Sequence, residues 1–374
     1  MKKSIMCIIT TVLLLVIMLV SAFVHIPLAI AADENPTAGY GHRTANEVIT
    51  QAIKWFKGNY EEFYDLRNLH ADIIRVFEND SEIKYTVAIT CETLLKYENA
   101  TDLPFVKGLE SALTEKNLQA SERAAVDAYI NGINANIGVY NELAVDLVVV
   151  IDKVNRTAPW AMYYQDGMET TLYEIDTLIL DAKQMYNAGQ RSANEILESA
   201  SESVDRGYSN YKRIAARDYA LEYSSSPTQC YDDGTTCGIL QDRTKWNNSV
   251  YPYHTIFKHN DCANFVSQAM SAGNLPEGGA WFRTKYVTTQ SWGAAWTSVS
   301  SMEAFMTDSN RRYWDASNFA VANVGNILLT SNSHVVMITL NDSVLHRYTA
   351  HTNDRRNYLF NDNSAYRYYV IKTT

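Results

Sequence analysis

The stretch HNDCANFVSQAM, residues 259–270, places a cysteine directly after an aspartate at the start of a predicted helix. The apolar residues that follow recur at helical spacing: Phe265, Val266, Ala269 and Met270. Asn260 or Asp261 is the expected N-cap, which leaves Cys262 in the first turn. Partial positive charge at a helix N-terminus lowers a thiol pKa, and its unpaired amides can bind a developing oxyanion. Asp261 opposes the first effect unless its carboxylate caps the backbone. Cys262 is therefore a candidate nucleophile.

A nucleophilic thiol needs a base, and the base needs an orienting partner. His334 begins the apolar run HVVMITL, which predicts a strand. The next predicted strand ends in AHTND, which offers His351, Asn353 and Asp354. Because neighbouring antiparallel strands bring side chains together, a helical cysteine facing such a strand pair follows the logic of papain-type catalysis.

Three other interpretations of these residues stay open. A lone cysteine at a helix start is often a packing residue, and lone histidines are common at strand ends. A zinc amidase would draw its ligands from His254, His259, His334 and Cys262, although paired zinc motifs are missing. A binding or scaffold protein would keep the fold without turnover.

Composition and the N-terminus limit the partners and the location. A formal net charge of −10 over 374 residues argues against nucleic acid as the main partner. Lys2 and Lys3 precede a long apolar run that ends in small residues, which is typical of a signal peptide over residues 1–32. An uncleaved membrane anchor is the alternative. We therefore expect a secreted or cell-envelope protein.

Two further cysteine positions suggest different roles. Cys91 belongs to the apolar side of the alternating run EIKYTVAITCE, so it is expected to be a core thiol. Cys230 and Cys237 flank the turn-forming segment YDDGTT. An oxidising compartment would favour a small disulfide between them, and two free thiols are the alternative.

The sequence predicts two domains after the leader. Residues 33–45 are expected to be disordered, residues 46–180 to form a mixed α+β domain of unknown role, and residues 181–207 to form a helical linker. The second domain spans residues 208–374.

Local patterns predict the elements within these domains. Helical spacing is predicted over 46–77 and again from Ser121, which is the expected N-cap. Strands are predicted over 82–92 and 146–154, and a hairpin turn at Asp166-Gly167. Three antiparallel strands are predicted near the C-terminus: 334–340, 344–352 and 365–372.

Five blocks resemble, in order, a family of bacterial proteins named for a putative amidase domain, which is similar to NlpC-type cell-wall peptidases within the papain-like cysteine hydrolases. The blocks are YKRIAARDYALEY, YPYHTIFKHNDCANFVSQAMSAGNLP, SWGAAWTSV, SHVVMIT and AHTND, within residues 208–374. The resemblance implies Cys262 as nucleophile, His334 as general base and His351 as the orienting third member. His346, Asn353 and Asp354 are its rivals. Related enzymes usually have Gly-Asp where this chain has Gly325-Asn326.

The resemblance implies a fold and an activity. We expect an α+β protein whose C-terminal domain is papain-like, with an antiparallel sheet packed on the nucleophile helix. We expect a secreted cysteine amidase or peptidase that hydrolyses amide bonds in peptides of the peptidoglycan type, without a cofactor. The aromatic residues Tyr253, Trp281 and Trp292 either line the cleft or pack in the core. Residues 224–249 resemble an insertion that shapes or covers the cleft.

Overall fold

A computed structural model describes most of the chain after residue 44. The described residues are 45–114, 116–154, 161–165, 168, 172–174, 179–202, 211–227, 240–251, 260–283, 292–308, 313–330 and 334–371. Several predictions fall outside them: the signal peptide, the leader up to residue 44, the turn at Asp166-Gly167, the Cys230–Cys237 pair, His254 and His259.

Eight α-helices lie within the described residues. They are α1 (Ala45–Tyr60), α2 (Pro104–Leu113), α3 (Ala120–Asn134), α4 (Ala182–Glu202), α5 (Arg213–Glu222), α6 (Cys262–Ala272), α7 (Ala294–Thr297) and α8 (Val299–Met306). A short 3-10 helix spans Ala100–Asp102. Among the described residues no helix has the length and apolar character needed to cross a membrane.

The described strands form one mixed, mostly antiparallel sheet. They are β1 (Tyr64–Glu78), β2 (Glu82–Leu95), β3 (Asn141–Asp152), β4 (Ala161–Gln165), β5 (Leu172–Glu174), β6 (Trp314–Ser317), β7 (Ile327–Leu329), β8 (Val335–Asn341), β9 (His346–Ala350), β10 (Arg355–Phe360) and β11 (Arg367–Ile371). Their order is β1-β2-β3-β10-β9-β8-β7-β11-β6, and β4 and β5 branch from β3. The expected α+β class is confirmed.

The long strand β3 joins the two parts of the chain. One edge of β3 pairs with β2, while the other pairs with β4 and, in parallel, with β10 through Ala144 and Tyr358. Strands from residues 46–180 and strands from residues 208–374 therefore share one sheet, and residues 44–374 form a single compact unit.

Alternation along the strands builds a core on each face of the sheet. Val335 and Met337 of β8 pack with Phe265, Val266 and Ala269 of α6. Val336 and Ile338 point to the other face, among buried tyrosines and Phe360. Period-two alternation thus buries both faces of β8, and the helix that begins at Cys262 is fixed on one of them.

The first part of the chain has a core of its own. Buried side chains of helices α1 to α4 and of strands β1 to β3 form this core, among them Phe56, Ile89 and Leu147. Cys91 belongs to this core, as predicted, and burial raises the pKa of its thiol to about 12.

The prediction of helix over residues 46–77 is wrong in its second half. The helix ends at Tyr60, and β1 begins at Tyr64. Strand β1 has register irregularities between Arg67 and His70 and between Ile73 and Arg75. Because each bulge inserts a residue, apolar side chains on one face of the strand become three apart and imitate helical spacing.

The helix predicted near Ser121 and the strands predicted over 82–92 and 146–154 are confirmed with shifted ends. Helix α3 begins at Ala120 with Gln119 as its N-cap residue, where Glu122 accepts a hydrogen bond from the Gln119 amide, so Ser121 is not the cap. The three predicted C-terminal strands are confirmed, but the sequence interpretation missed β10, which follows directly after AHTND.

Candidate active site

Cys262 is the first residue of α6 and is buried. Asp261, which precedes it, occupies the N-cap position, but its side chain makes no capping bond to the helix. The predicted start of the helix is therefore confirmed. Asp261 occupies the predicted N-cap position, but the side-chain hydrogen bond expected of a cap is absent. The Asp261 carboxylate instead accepts from the Asn264 side chain at 2.7 Å through Oδ1, and its Oδ2 has a second partner.

That partner is His351. The Nδ1 atom of His351 lies 2.8 Å from Oδ2 of Asp261, and its Nε2–H donates to the carbonyl of Tyr223 at 2.7 Å. The imidazole is stacked between the rings of Phe265 and Trp246, at centroid distances of 3.8 Å and 4.4 Å. Both ring nitrogens and both ring faces are therefore occupied.

The surroundings of His351 stabilise its charged form. Burial lowers the pKa, but the hydrogen bond with Asp261, the charges of Asp354 and Asp261, and the Tyr223 carbonyl outweigh burial, and the net pKa is raised. The ring thus binds as an imidazolium that donates from both nitrogens. Its positive charge offsets the Asp261 carboxylate next to the thiol.

Thr352 makes the contact with the helix start that Asp261 does not. Its Oγ1 accepts hydrogen bonds from the backbone amides of Asp261 at 2.8 Å and Cys262 at 3.1 Å. The backbone of Thr352 has a φ of 89°, in the left-handed region. A β-branched residue is rare there because its side chain crowds the backbone.

The four residues between β9 and β10, the HTND turn (residues 351–354), bond to segments that lie far away in the chain: Tyr223, the start of α6 and residues 240–246. Beyond the contacts of His351 and Thr352, Oδ1 of Asn353 accepts from the Leu240 amide at 3.2 Å. Oδ2 of Asp354 accepts from the Asp242 amide at 2.8 Å and from the Trp246 indole at 3.0 Å. The end of the predicted insertion therefore packs on this turn.

Several opposing effects set the state of the Cys262 thiol. Burial raises the pKa most, and the Asp261 charge raises it further, while hydrogen bonds from the amides of Val335 and Ala263 and from the Thr352 hydroxyl lower it. The net pKa is raised, so the protonated thiol is the form present at neutral pH. Three donors nevertheless surround the sulfur, which favours a thiolate when a base removes the proton.

His334 directly precedes β8, next to Val335, whose amide is one of those donors. Its backbone is held by Thr330, which exchanges two hydrogen bonds with it. Burial of the ring and the positive charge of Arg355 lower the pKa of His334 to about 4, so the imidazole is neutral above that pH. Within the described residues, no hydrogen bond joins the His334 ring to Cys262 or to His351.

The three residues considered as alternatives to His351 lie in different places. His346 pairs with Asn341 at the opposite end of β8 from His334, which at about 3.3 Å per residue is roughly 20 Å away. It is buried beside Phe319 and Phe360, and burial lowers its pKa to about 3. Asn353 and Asp354 lie in the HTND turn, and their contacts are with the insertion.

A buried ion pair links the site to the first part of the chain. The Arg355 guanidinium lies 3.2 Å from the Asp146 carboxylate on β3, and both side chains are buried. Tyr358 donates to the same carboxylate at 3.3 Å. Strand β3 therefore neutralises the arginine whose charge influences His334.

The aromatic residues proposed for the cleft have mixed positions. Trp281 is completely buried, packs against Trp296 in a tilted ring pair with centroids 5.0 Å apart and donates to Ser267, so it is a core residue. Trp292 is partly buried against the same core. Tyr253 lies outside the described residues.

The described part of the chain contains no candidate metal site. Within it, no group of three or more histidine, cysteine, aspartate or glutamate side chains is arranged to hold a metal ion. His254 and His259, two of the four ligands considered for zinc, fall in the ranges that the structure leaves undescribed.

Three residues of the site were not predicted from the sequence. Thr352 lies inside the block AHTND, but its hydroxyl carries no titratable chemistry of the kind that marks its neighbours. Trp246 and Tyr223 contact His351 through folding that local patterns do not reveal. The positive φ of Thr352 carries no sequence signal, because such positions are normally marked by glycine or asparagine.

Cys262 thus begins a helix that packs on the sheet of an α+β fold. Residues 210–371, somewhat less than half of the chain, match the family model described as "Putative amidase domain". This match confirms the resemblance seen in the sequence and associates this part of the chain with the hydrolysis of amides. Comparison with curated proteins gave no match, and comparison with solved structures gave none either.

Proposed function

We propose that residues 210–371 form a papain-like cysteine amidase or peptidase that is secreted and hydrolyses amide bonds in cell-wall peptides. One observation carries the proposal. Cys262 stands at the head of a helix packed on β8, the strand that directly follows His334, and a hydrogen bond from the Val335 amide is one of the effects that lower the pKa of its thiol. This arrangement supports a nucleophile and a base from two separate elements.

In the proposed reaction, the His334 imidazole takes the Cys262 proton as the sulfur forms a bond to the amide carbon. The carbonyl electrons move to oxygen, and amides of the first helical turn beyond Cys262, whose own amide is bonded to Thr352, stabilise the oxyanion. The tetrahedral intermediate collapses with cleavage of the C–N bond, and the His334 imidazolium protonates the leaving amine. Water then attacks the thioester and His334 accepts its proton. Cleavage of the C–S bond releases the thiolate, which takes the proton back from His334.

The low pKa of His334 and the raised pKa of Cys262 determine the protonation of these two groups before substrate binds. Both groups are neutral at pH 7, so the proton moves only as the sulfur attacks. The reaction requires the His334 side chain to rotate towards the sulfur. His351 has the role of a positioning residue in this proposal, because its imidazolium holds Asp261 beside the nucleophile.

The location and the substrate class are parts of the same proposal. The apolar N-terminal segment of residues 1–32 supports export. Export, together with the amidase family match, favours peptidoglycan stem peptides, which are exposed outside the cell and contain many amide bonds.

Release of new amino groups from purified peptidoglycan tests the proposal. The wild-type protein is expected to release them, and Cys262→Ala and His334→Ala are expected to release none. Cys91→Ala provides the matched control, since Cys91 is a buried thiol of the other core. Full activity of Cys262→Ala would exclude the cysteine mechanism.

A second candidate is a binding protein with the same fold and no turnover. It is favoured by the missing hydrogen bond between Cys262 and His334 among the described residues. Peptidoglycan that is bound by the wild type and by Cys262→Ala alike, without any release of amino groups, would support this candidate.

A further inference from the structure

The contacts of Thr352 are unusual for a residue in a turn. Its hydroxyl oxygen accepts from two successive amides, at 2.8 Å from Asp261 N and 3.1 Å from Cys262 N. These amides are at the start of α6, where the helix itself offers no acceptor. A side chain from a turn 90 residues further along the chain therefore caps the helix.

Threonine strains the backbone at this position. With a φ of 89°, the position suits glycine or asparagine far better than a β-branched residue. Asparagine is present one position later, at Asn353, where it bonds to Leu240. A strained residue persists when its surroundings require it, and strain of this kind collects at functional sites. The side chain of Thr352, and not the shape of the turn, accounts for its presence.

The hydroxyl has one proton left after its oxygen has accepted two hydrogen bonds. A hydrogen bond from Thr352 is one of the effects that lower the pKa of the Cys262 thiol. The measured contact of the hydroxyl with the nucleophile is the one with the Cys262 amide, at 3.1 Å.

We propose that Thr352 is a positioning residue for the nucleophile: its hydroxyl oxygen fixes the first turn of α6 through the amides of Asp261 and Cys262, and its O–H donates a hydrogen bond to the Cys262 thiolate. This proposal rests on the proposed function for its catalytic meaning. The contact itself is a property of the folded protein and can be measured without a substrate.

Three substitutions separate the hydroxyl from the backbone. Thr352→Ser keeps the hydroxyl, Thr352→Val keeps the shape without the hydroxyl, and Thr352→Gly removes the side chain while relieving the strain at φ 89°. Each variant is titrated by the ultraviolet absorbance of the thiolate, with the same variant carrying Cys262→Ser subtracted. The melting temperature is measured in parallel.

We expect Thr352→Val and Thr352→Gly to lower the thiolate fraction at a given pH by about tenfold, because a hydrogen bond to a charged group is lost. Thr352→Ser is expected to titrate like the wild type. The glycine variant is decisive, because a merely structural threonine predicts equal or higher melting temperature with an unchanged titration. If the valine variant does not fold, the comparison of glycine with serine carries the same test.

Two results would overturn the proposal. One is a thiol titration that is the same in the wild type, Thr352→Gly and Thr352→Ser. The other is a faster release of amino groups from peptidoglycan by Thr352→Gly, because the threonine would then obstruct the Cys262 amide. Failure of the proposed function is distinguishable from both, since it leaves the peptidoglycan assay silent and the titration difference intact.

Discussion

Asp261 and His351 are 90 residues apart in the chain, yet Oδ2 of Asp261 and Nδ1 of His351 lie 2.8 Å apart in the interior. Their side chains are only 4% and 2% exposed. The pair holds the residue before Cys262 against the end of β9 and neutralises a negative charge that would oppose a thiolate. The electrostatics of the site therefore depend on the state of this pair.

Breaking the Asp261–His351 pair from one side is expected to destabilise the fold. His351→Phe leaves a buried carboxylate without its cation, and we expect the free energy of unfolding to fall by about 3 to 5 kcal/mol. Adding Asp261→Asn removes that buried charge and is expected to recover part of the loss. Denaturant unfolding of the two single variants and the double variant measures the coupling. Strictly additive effects would show that the two side chains do not interact.

Acid is expected to destabilise the protein through its buried neutral histidines. The pKa of His346 is about 3 in the folded protein, below its ordinary value of 6.5. Neutral His346 thus contributes stability that is fully present above pH 6.5 and is lost as the pH falls towards 3. His334 acts in the same direction down to about pH 4. The raised pKa of His351 has the opposite effect, since its contribution is complete below pH 6.5 and falls only at higher pH.

His346→Leu isolates the first of these contributions. Between pH 6.5 and about pH 5 the wild type is expected to lose about 2 kcal/mol more unfolding free energy than the variant. Denaturant unfolding at the two pH values measures the difference. Equal losses in the two proteins would mean that His346 is protonated or exposed in the folded state.

The ion pair between Arg355 and Asp146 is expected to be necessary for stability, although Asp146 belongs to the first part of the chain. Asp146→Asn leaves the buried guanidinium without a counter-charge, which costs about 3 kcal/mol or more. The matched control is Glu142→Gln on the same strand. Glu142 pairs with Arg356 where the two side chains are 49% and 37% exposed, so its loss is expected to cost less than about 1 kcal/mol. Similar losses for both variants would contradict the account.

The pH dependence of turnover is expected to follow the low pKa of His334. Because the base is neutral above about pH 4, kcat/KM for release of amino groups from peptidoglycan is expected to show no inflection near 6.5 on its acid side. Circular dichroism at each pH checks that the protein remains folded. A clear inflection near 6.5 would mean that the ring is solvated, or that another histidine is the base.

Local patterns were sufficient to predict some parts of the fold. The apolar spacing after Cys262 predicted a helix that begins at that residue, and strand β8 follows the run HVVMITL. Both elements have one strong period over their whole length. Strand β1 was mistaken for helix because its two bulges shift the alternation by one residue each. A bulge depends on pairing with the neighbouring strand, which a local pattern does not contain.

The candidate site was predictable in its residue types but not in its contacts. The order of the five blocks predicted that Cys262, His334 and the HTND turn belong to one site. In the structure Cys262 begins α6, His334 directly precedes β8, and the HTND turn bonds to the start of α6. The partner of His351 was not predictable, because Asp261 was expected to cap its own helix and instead bonds to that ring. Thr352 was not predictable from the sequence, because its role depends on a φ in the left-handed region and on hydrogen bonds with amides far away in the chain.

A covalent acyl intermediate on Cys262 tests the central claim most directly. Protein incubated with stem peptides from peptidoglycan is quenched in acid, digested with a protease and analysed by mass spectrometry. The account predicts an acyl mass on the peptide that contains Cys262, and none on the peptide that contains Cys91. Active hydrolysis without any acyl mass on Cys262, or an acyl mass that persists elsewhere in Cys262→Ala, would contradict it.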